Sequence, residues 1–201
     1  MDSAITSCAG AEEAYAARRC KHGCLLMRKR VAGYPLIGLC GHKNAGKTTL
    51  VCRLVEHFSG QGLRVATVKY AHCDVEIDHE GRDSFRHRQA GARSVALVSP
   101  YRWATIHEVD EIAPVPPLER VVAALGPADL VLVESNKHGD HPKIEVRDVA
   151  SARPLLADAD ERIVAIAANG PLTHPRLPVF HRDDVAAIAD FIRNLLELPE
   201  P

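Results

Sequence analysis

The clearest chemical pattern lies at residues 41–48, which read Gly-His-Lys-Asn-Ala-Gly-Lys-Thr and match the spacing G-x-x-x-x-G-K-[ST]. Glycines at these positions let backbone N–H groups turn inward around phosphate oxygens. Lys47 would reach the outer phosphates of a nucleotide, and the Thr48 hydroxyl would ligate Mg²⁺. The segment therefore predicts a phosphate-binding loop. Its predicted contact residues are Gly41, Asn44, Ala45, Gly46, Lys47, Thr48 and Thr49.

The elements on either side of this loop support the prediction. Residues 36–40 are apolar and predict a buried strand, and apolar spacing over residues 47–58 predicts a helix that stops near Gly60. A helix that begins at the loop adds partial positive charge where the phosphates would bind. Strand, loop and helix thus follow one another in the order that phosphate binding requires.

A second strand ends in an acidic residue that suits the metal. Residues 130–133 are all apolar, as in a central parallel strand, and Glu134 follows at its carboxyl end. Ligands of open α/β sheets bind at that edge. We therefore expect Glu134 and Thr48 to bind Mg²⁺ together. Asp129, at the other end of the strand, is expected to be a turn residue.

From residue 35 onward, strand patterns alternate with helix patterns. Further strands are expected at 64–68, 94–98, 102–109 and 163–168, and helices at 83–89, at 118–125 and after Asp183 or Asp184. This alternation predicts an α/β fold, a mostly parallel sheet with helices on both faces, as in P-loop NTPases. We expect one domain over residues 34–201, and a disordered extension over 1–33, which lack a steady apolar period.

Composition excludes several classes of protein. The chain has 201 residues and a net charge of −1, whereas a general nucleic-acid binder needs a large positive excess. Aromatic residues make up 4%, too few for a base-stacking platform. No apolar run approaches the ~20 residues of a membrane span. We therefore expect a cytoplasmic protein that binds neither nucleic acid nor membrane.

A densely charged region follows the strand at 64–68. Lys69 and Asp78 lie in it, and both are expected to contact the nucleotide. Because the region starts at the carboxyl end of a strand, a switch-like loop that binds magnesium or phosphate is favoured over a merely solvated surface.

The identity of the base stays open at this level. Residues 136–140 read Asn-Lys-His-Gly-Asp, which has one residue too many for the guanine-reading pattern N-K-x-D and follows the wrong strand. Asn169, after the strand at 163–168, is better placed to face a base. The residues alone do not choose between GTP and ATP.

The order of motifs resembles one family. After the phosphate loop come Thr-Val-Lys at 67–69, D-x-x-G-x-D-S-x-R-H-R-x-A-G-A at 78–92, the strand ending in Glu134, and Pro-Lys-Ile-Glu-Val at 142–146. This resembles the MobB family of molybdopterin-guanine dinucleotide biosynthesis adaptor proteins over roughly residues 35–195. The chain departs from the family pattern at Tyr70, Ser135 and Asn136, which flank the site.

The resemblance implies a GTP-binding homodimer in the cytoplasm with weak GTP hydrolysis. Such a protein assists the guanylyltransferase that joins GMP to molybdopterin, and the molybdenum-insertion enzyme is a further candidate partner. The resemblance also implies that residues 143–146 form a strand near the dimer contact.

A stand-alone kinase that phosphorylates a small molecule with ATP is the alternative. It would need a carboxylate base and a lid with arginines, parts that Asp74, Asp78, Arg82, Arg86 and Arg88 could supply. No catalytic glutamine or arginine finger is readable, and such a finger is worth ~10³ to 10⁵ in rate. Any hydrolysis is therefore expected to be slow.

Overall fold

The computed structural model describes residues 28–71, 77–109 and 115–200. Its contacts divide the chain into two compact units, one formed around residues 71–116 and the other by the remaining described residues. The predicted extension lies outside the described residues up to position 27, as does Asp74. The two units are described separately.

The strands in chain order are β1 Arg30–Val31, β2 Tyr34–Cys40, β3 Val65–Lys69, β4 Ser94–Val98, β5 Trp103–His107, β6 Leu130–Glu134, β7 Lys143–Arg147, β8 Ile163–Ala168 and β9 Val179–His181. The helices are α1 Lys47–Gly60, α2 Asp83–Gln89, α3 Leu118–Ala123 and α4 Val185–Leu196, with a short 3-10 turn at Leu156–Asp158. Among the described residues, no helix is both long and apolar enough to cross a membrane.

The larger unit contains a sheet of seven described strands, and its main path has the order β3-β6-β2-β7-β8-β9. All pairs along this path are parallel, and β1 adds to β2 in antiparallel orientation. β2, which precedes the phosphate loop, therefore lies beside β6, which ends in Glu134. This neighbour relation is what brings the two predicted halves of the site together.

Helices cover both faces of this sheet. On one face α1 and α4 pack against the inward side chains of β2, β6, β7 and β8 around Leu54, Phe58 and Ile188, which are all fully buried. On the other face α3 packs through Leu118 and Val122 against β6. The predicted α/β class, with a mostly parallel sheet and helices on both faces, is confirmed.

Strand β7 contains three charged residues among its five. The family resemblance implied this strand, whereas the apolar pattern alone did not indicate it. Lys143 and Glu145 are fully buried. The Lys143 ammonium donates to Asp160 Oδ2 at 2.7 Å and to the Lys137 carbonyl at 2.9 Å. Glu145 Oε2 accepts a hydrogen bond from the Ala157 N–H at 2.9 Å. Pairing of this kind is what allows charged groups to be buried in a strand.

In the part of the smaller unit that the structure describes, the regular elements are α2 and the antiparallel hairpin β4–β5. α2 and β4 agree with the predicted elements. β5, which pairs with β4 in antiparallel orientation, is shorter than the predicted 102–109.

Candidate functional site

The phosphate loop joins β2 to α1, and its backbone explains the glycine at position 41. Gly41 has φ +145°, and a β carbon there would lie 2.3 Å from the Val146 carbonyl oxygen of β7. A backbone oxygen cannot move aside as a side chain can. Gly46, at the start of α1, has φ +93° and Asn44 has φ +65°, so the loop holds several residues in left-handed conformations.

Lys47 lies across the mouth of this loop. Its ammonium donates to the Gly41 carbonyl at 3.1 Å and to the His42 carbonyl at 2.8 Å. Partial burial lowers the pKa of Lys47, and the negative charge of Glu134 acts in the opposite direction. Two loop carbonyls therefore hold the ammonium within the loop.

The structure brings together Thr48 and Glu134, the two residues predicted to bind magnesium. The Thr48 hydroxyl donates to Glu134 Oε1 at 2.7 Å, and Glu134 is 7% exposed. Lys69, at the end of β3, places its ammonium 3.6 Å from the same Oε1. Parallel pairing of β6 with β2 and with β3 produces this convergence, because Glu134 is in register with Leu39 and with Lys69.

A pocket of about 340 Å³ opens over these residues. It is lined by Asn44, Gly46, Lys47, Thr48, Thr49 and Glu134. Of the remaining predicted contacts, Gly41 accepts the Lys47 ammonium through its carbonyl, Ala45 is a buried residue of the loop, and Lys69 lies beside Glu134. Their contacts with nucleotide stay a prediction.

The donor set fits magnesium. One hydroxyl and one carboxylate oxygen lie within hydrogen-bond distance of each other, and Mg²⁺ commonly keeps several waters and takes its remaining ligands from substrate phosphates. Within the described residues there is no group of three or more His, Cys, Asp or Glu side chains that would hold a metal by itself. Thr48 and Glu134 are thus suited to a metal that arrives with a nucleotide.

Asp78 lies in the smaller unit, where its carboxylate is engaged locally. The Ser84 hydroxyl donates to Oδ1 at 2.9 Å, and Arg88 Nε donates to Oδ2 at 3.3 Å. The side chain is nearly buried, at 6% exposure. This arrangement ties the segment before α2 to the helix, and a contact of Asp78 with nucleotide stays a prediction.

Sequence reasoning missed Arg182, which follows β9. Its Nη1 donates to the Ala45 carbonyl of the phosphate loop at 2.7 Å, across 137 positions of sequence. No local pattern marks this residue, since the contact depends on how the strands are ordered. Asn169, which was expected to face a base, accepts a hydrogen bond from the Val149 N–H and donates to Asp148 Oδ1 at 3.0 Å.

A parallel sheet with G-x-x-x-x-G-K-T between a strand and a helix, and a carboxylate at the end of the adjacent strand, defines a P-loop NTPase fold. The family model described as "MobB: Molybdopterin guanine dinucleotide synthesis protein B" matches residues 36–169. The chain belongs to the MobB family.

Relatives and solved structures agree with this placement. The molybdopterin-guanine dinucleotide biosynthesis adapter protein of Haemophilus influenzae is 35% identical over 81% of this chain and 89% of its own length. Its namesake from Escherichia coli is 32% identical over 79% and 91%. A crystal structure of molybdopterin-guanine biosynthesis protein B superimposes with a TM-score of 0.62 at 28% identity, covering 81% of this chain and 99% of that one. Bacillus subtilis MobB shares the fold at a TM-score of 0.65 and 24% identity, over 84% of this chain and 100% of that one.

Proposed function

We propose that this chain is a GTP-binding adapter in the biosynthesis of molybdopterin guanine dinucleotide, where it assists the guanylyltransferase that attaches GMP to molybdopterin. The observation that carries the proposal is the contact between Thr48 and Glu134 beside Lys47, in a chain whose curated relatives are named as adapter proteins of that biosynthesis. The proposed role is cytoplasmic and homodimeric, with the molybdenum-insertion enzyme as a second candidate partner.

Each residue of the site has a part in this proposal. Backbone N–H groups of the loop and of the first turn of α1 bind phosphate oxygens, and Lys47 exchanges its loop carbonyls for the outer phosphates. Thr48 and Glu134 hold Mg²⁺, which neutralises phosphate charge when it is bound. Lys69 balances the Glu134 carboxylate before the metal arrives.

Calorimetric titration with GTP and with an ATP analogue, in magnesium, tests nucleotide binding. Lys47→Ala is expected to abolish binding and leave the circular dichroism spectrum unchanged. Lys29→Ala is the matched control, because Lys29 is an exposed lysine whose ion pair with Glu197 lies outside the loop. Equal affinity of Lys47→Ala and wild type for GTP, or loss of folding in Lys47→Ala, would contradict the assignment.

Two further measurements test the finer parts of the proposal. Co-purification with the guanylyltransferase, compared between wild type and Lys47→Ala in the presence of GTP, tests the adapter role. Light scattering of the purified chain tests the homodimer. A chain that stays monomeric and does not retain the enzyme would refute both.

The kinase alternative receives no support from the comparisons, in which the matched relatives are named as adapter proteins. Asp78, one of the candidate bases, is already engaged by Ser84 and Arg88. Steady-state turnover below about one per second for the isolated protein is expected. Fast ATP turnover that a small hydroxyl-bearing acceptor stimulates would support the kinase alternative instead.

A further inference from the structure

Arg182 contacts the phosphate loop without being one of the residues that line its pocket. Arg182 Nη1 donates to the Ala45 carbonyl at 2.7 Å. The same guanidinium lies against the α carbon of Gly46, since a β carbon on that glycine would come within 2.6 Å of Nη1. Ala45 is buried, at 3% exposure. The pocket that would hold the phosphates is lined by the residues from Gly46 to Thr49.

The geometry of the peptide bond connects this contact with the pocket. The carbonyl of Ala45 and the N–H of Gly46 belong to one planar trans peptide, so they point in opposite directions. When Arg182 holds the carbonyl on one side of the loop, the Gly46 N–H is turned toward the other side. A phosphate oxygen in the pocket would then meet an N–H group that is already oriented.

Two carboxylates lie in the neighbourhood of Arg182. Asp148, just after β7, and Asp183, the next residue in the chain, both lie near enough to interact with its guanidinium. Asp148 is held in turn by hydrogen bonds from the Asn169 side chain at 3.0 Å and from the Ala150 N–H at 3.1 Å. The negative charge at the end of β7 and after β9 therefore favours a cation at position 182.

We propose that Arg182 is a positioning residue for nucleotide binding, which orients the Gly46 N–H toward the phosphates by holding the Ala45 carbonyl. The inference rests on the proposed function, because it takes the loop at residues 41–49 to bind nucleotide phosphates. Arg182 acts through the loop backbone and does not contact the nucleotide.

A purely structural tie between β9 and the loop is the competing explanation. Arg182→Met separates the two, because it keeps an apolar stem and removes the donor. Arg182→Lys keeps a cation and a donor but loses the planar fork. Arg176→Met is the matched control, since Arg176 also donates to a backbone carbonyl, that of Ala157 at 3.4 Å.

The experiment uses the full chain, with GTP and magnesium. Affinity is measured by calorimetry, and the Gly46 amide is followed by ¹⁵N-resolved NMR after resonance assignment. A hydrogen bond to phosphate should move the wild-type Gly46 amide proton strongly downfield. Arg182→Met is expected to weaken GTP binding about tenfold, the size of one charge-assisted hydrogen bond, and to reduce that shift. Arg182→Lys should recover part of both, and Arg176→Met should bind within about twofold of wild type.

Several results would overturn the proposal. One is an Arg182→Met protein that binds GTP as wild type does and keeps the Gly46 shift. Another is equal weakening by Arg176→Met, which would indicate a general structural effect. If Arg182→Met does not fold, the wild-type spectrum still decides, since a Gly46 amide that GTP leaves unmoved refutes the orientation argument. Failure of wild type to bind any nucleotide would instead refute the proposed function, and this inference with it.

Discussion

Replacing Glu134 by glutamine removes one negative charge from the site and leaves its shape. Glu134 Oε1 accepts the Thr48 hydroxyl at 2.7 Å, and a glutamine amide oxygen can accept the same hydrogen bond. The side chain is 7% exposed and of equal size in both forms, so packing is preserved. The substitution therefore measures the carboxylate charge and little else.

The expected magnitude follows from what that charge would bind. A hydrogen bond or ligand interaction that involves a charged group contributes roughly 1.5–3 kcal/mol, which corresponds to about 10- to 100-fold in affinity. We expect GTP affinity in magnesium to fall by that factor. Without magnesium the change should stay below about threefold, because the ion pair that Glu134 forms is with Lys69, which is mostly exposed, and exposed pairs contribute little.

Calorimetric titration of GTP in excess magnesium and in EDTA, for wild type and Glu134→Gln, gives the four affinities needed. Glu119→Gln is the control, since Glu119 lies on helix α3 and makes an exposed ion pair with Arg28. The reasoning is refuted if Glu134→Gln weakens binding equally in both buffers, or leaves the magnesium-dependent affinity at the wild-type value.

Three other predictions concern the scaffold. Gly41→Ala should abolish GTP binding in the same titration, because its β carbon would meet a backbone oxygen of β7 at 2.3 Å; wild-type affinity would contradict this. Lys143→Met should lower the free energy of unfolding in urea by about 3 kcal/mol, because it removes the buried ammonium that pairs with Asp160 Oδ2 and leaves only the Arg162 contacts to Oδ1. Adding Asp160→Asn should restore part of the loss. Hydrogen bonding to the Arg64 side chain lowers the pKa of Asp129 from 3.8 to about 2. The contribution of ionised Asp129 to folding stability is therefore fully present above pH 3.8 and is lost as the pH falls through about 2. Urea unfolding of Asp129→Asn should accordingly depend less on pH than wild type between those values, and equal pH profiles would refute the assignment.

Local patterns predicted the parts of the site that are continuous in sequence. The residue spacing at 41–48 predicts the phosphate loop, and the position of Glu134 after four apolar residues predicts an acidic residue at a strand end. Strand β7 was harder, because Lys143, Glu145 and Arg147 alternate with apolar residues and suggest an exposed face. All three are buried or nearly so, and their burial depends on partners such as Asp160 and the Ala157 N–H, which lie later in the chain. Such pairings cannot be read from the strand itself.

The order of the strands explains why Lys69 could be predicted from the sequence and Arg182 could not. Both follow or end strands, but β3 and β9 stand at opposite ends of the order β3-β6-β2-β7-β8-β9. Lys69 reaches the site through β6, whose final residue is in register with it, so strand-end logic and the family pattern both indicate it. Arg182 reaches the loop from the far edge of the sheet and binds a carbonyl rather than a side chain. The contact of the loop with Glu134 can thus be predicted from motifs, whereas its contact with Arg182 depends on the order of the strands. Substitutions at Glu134 should therefore act through magnesium, and those at Arg182 should weaken GTP binding with or without it.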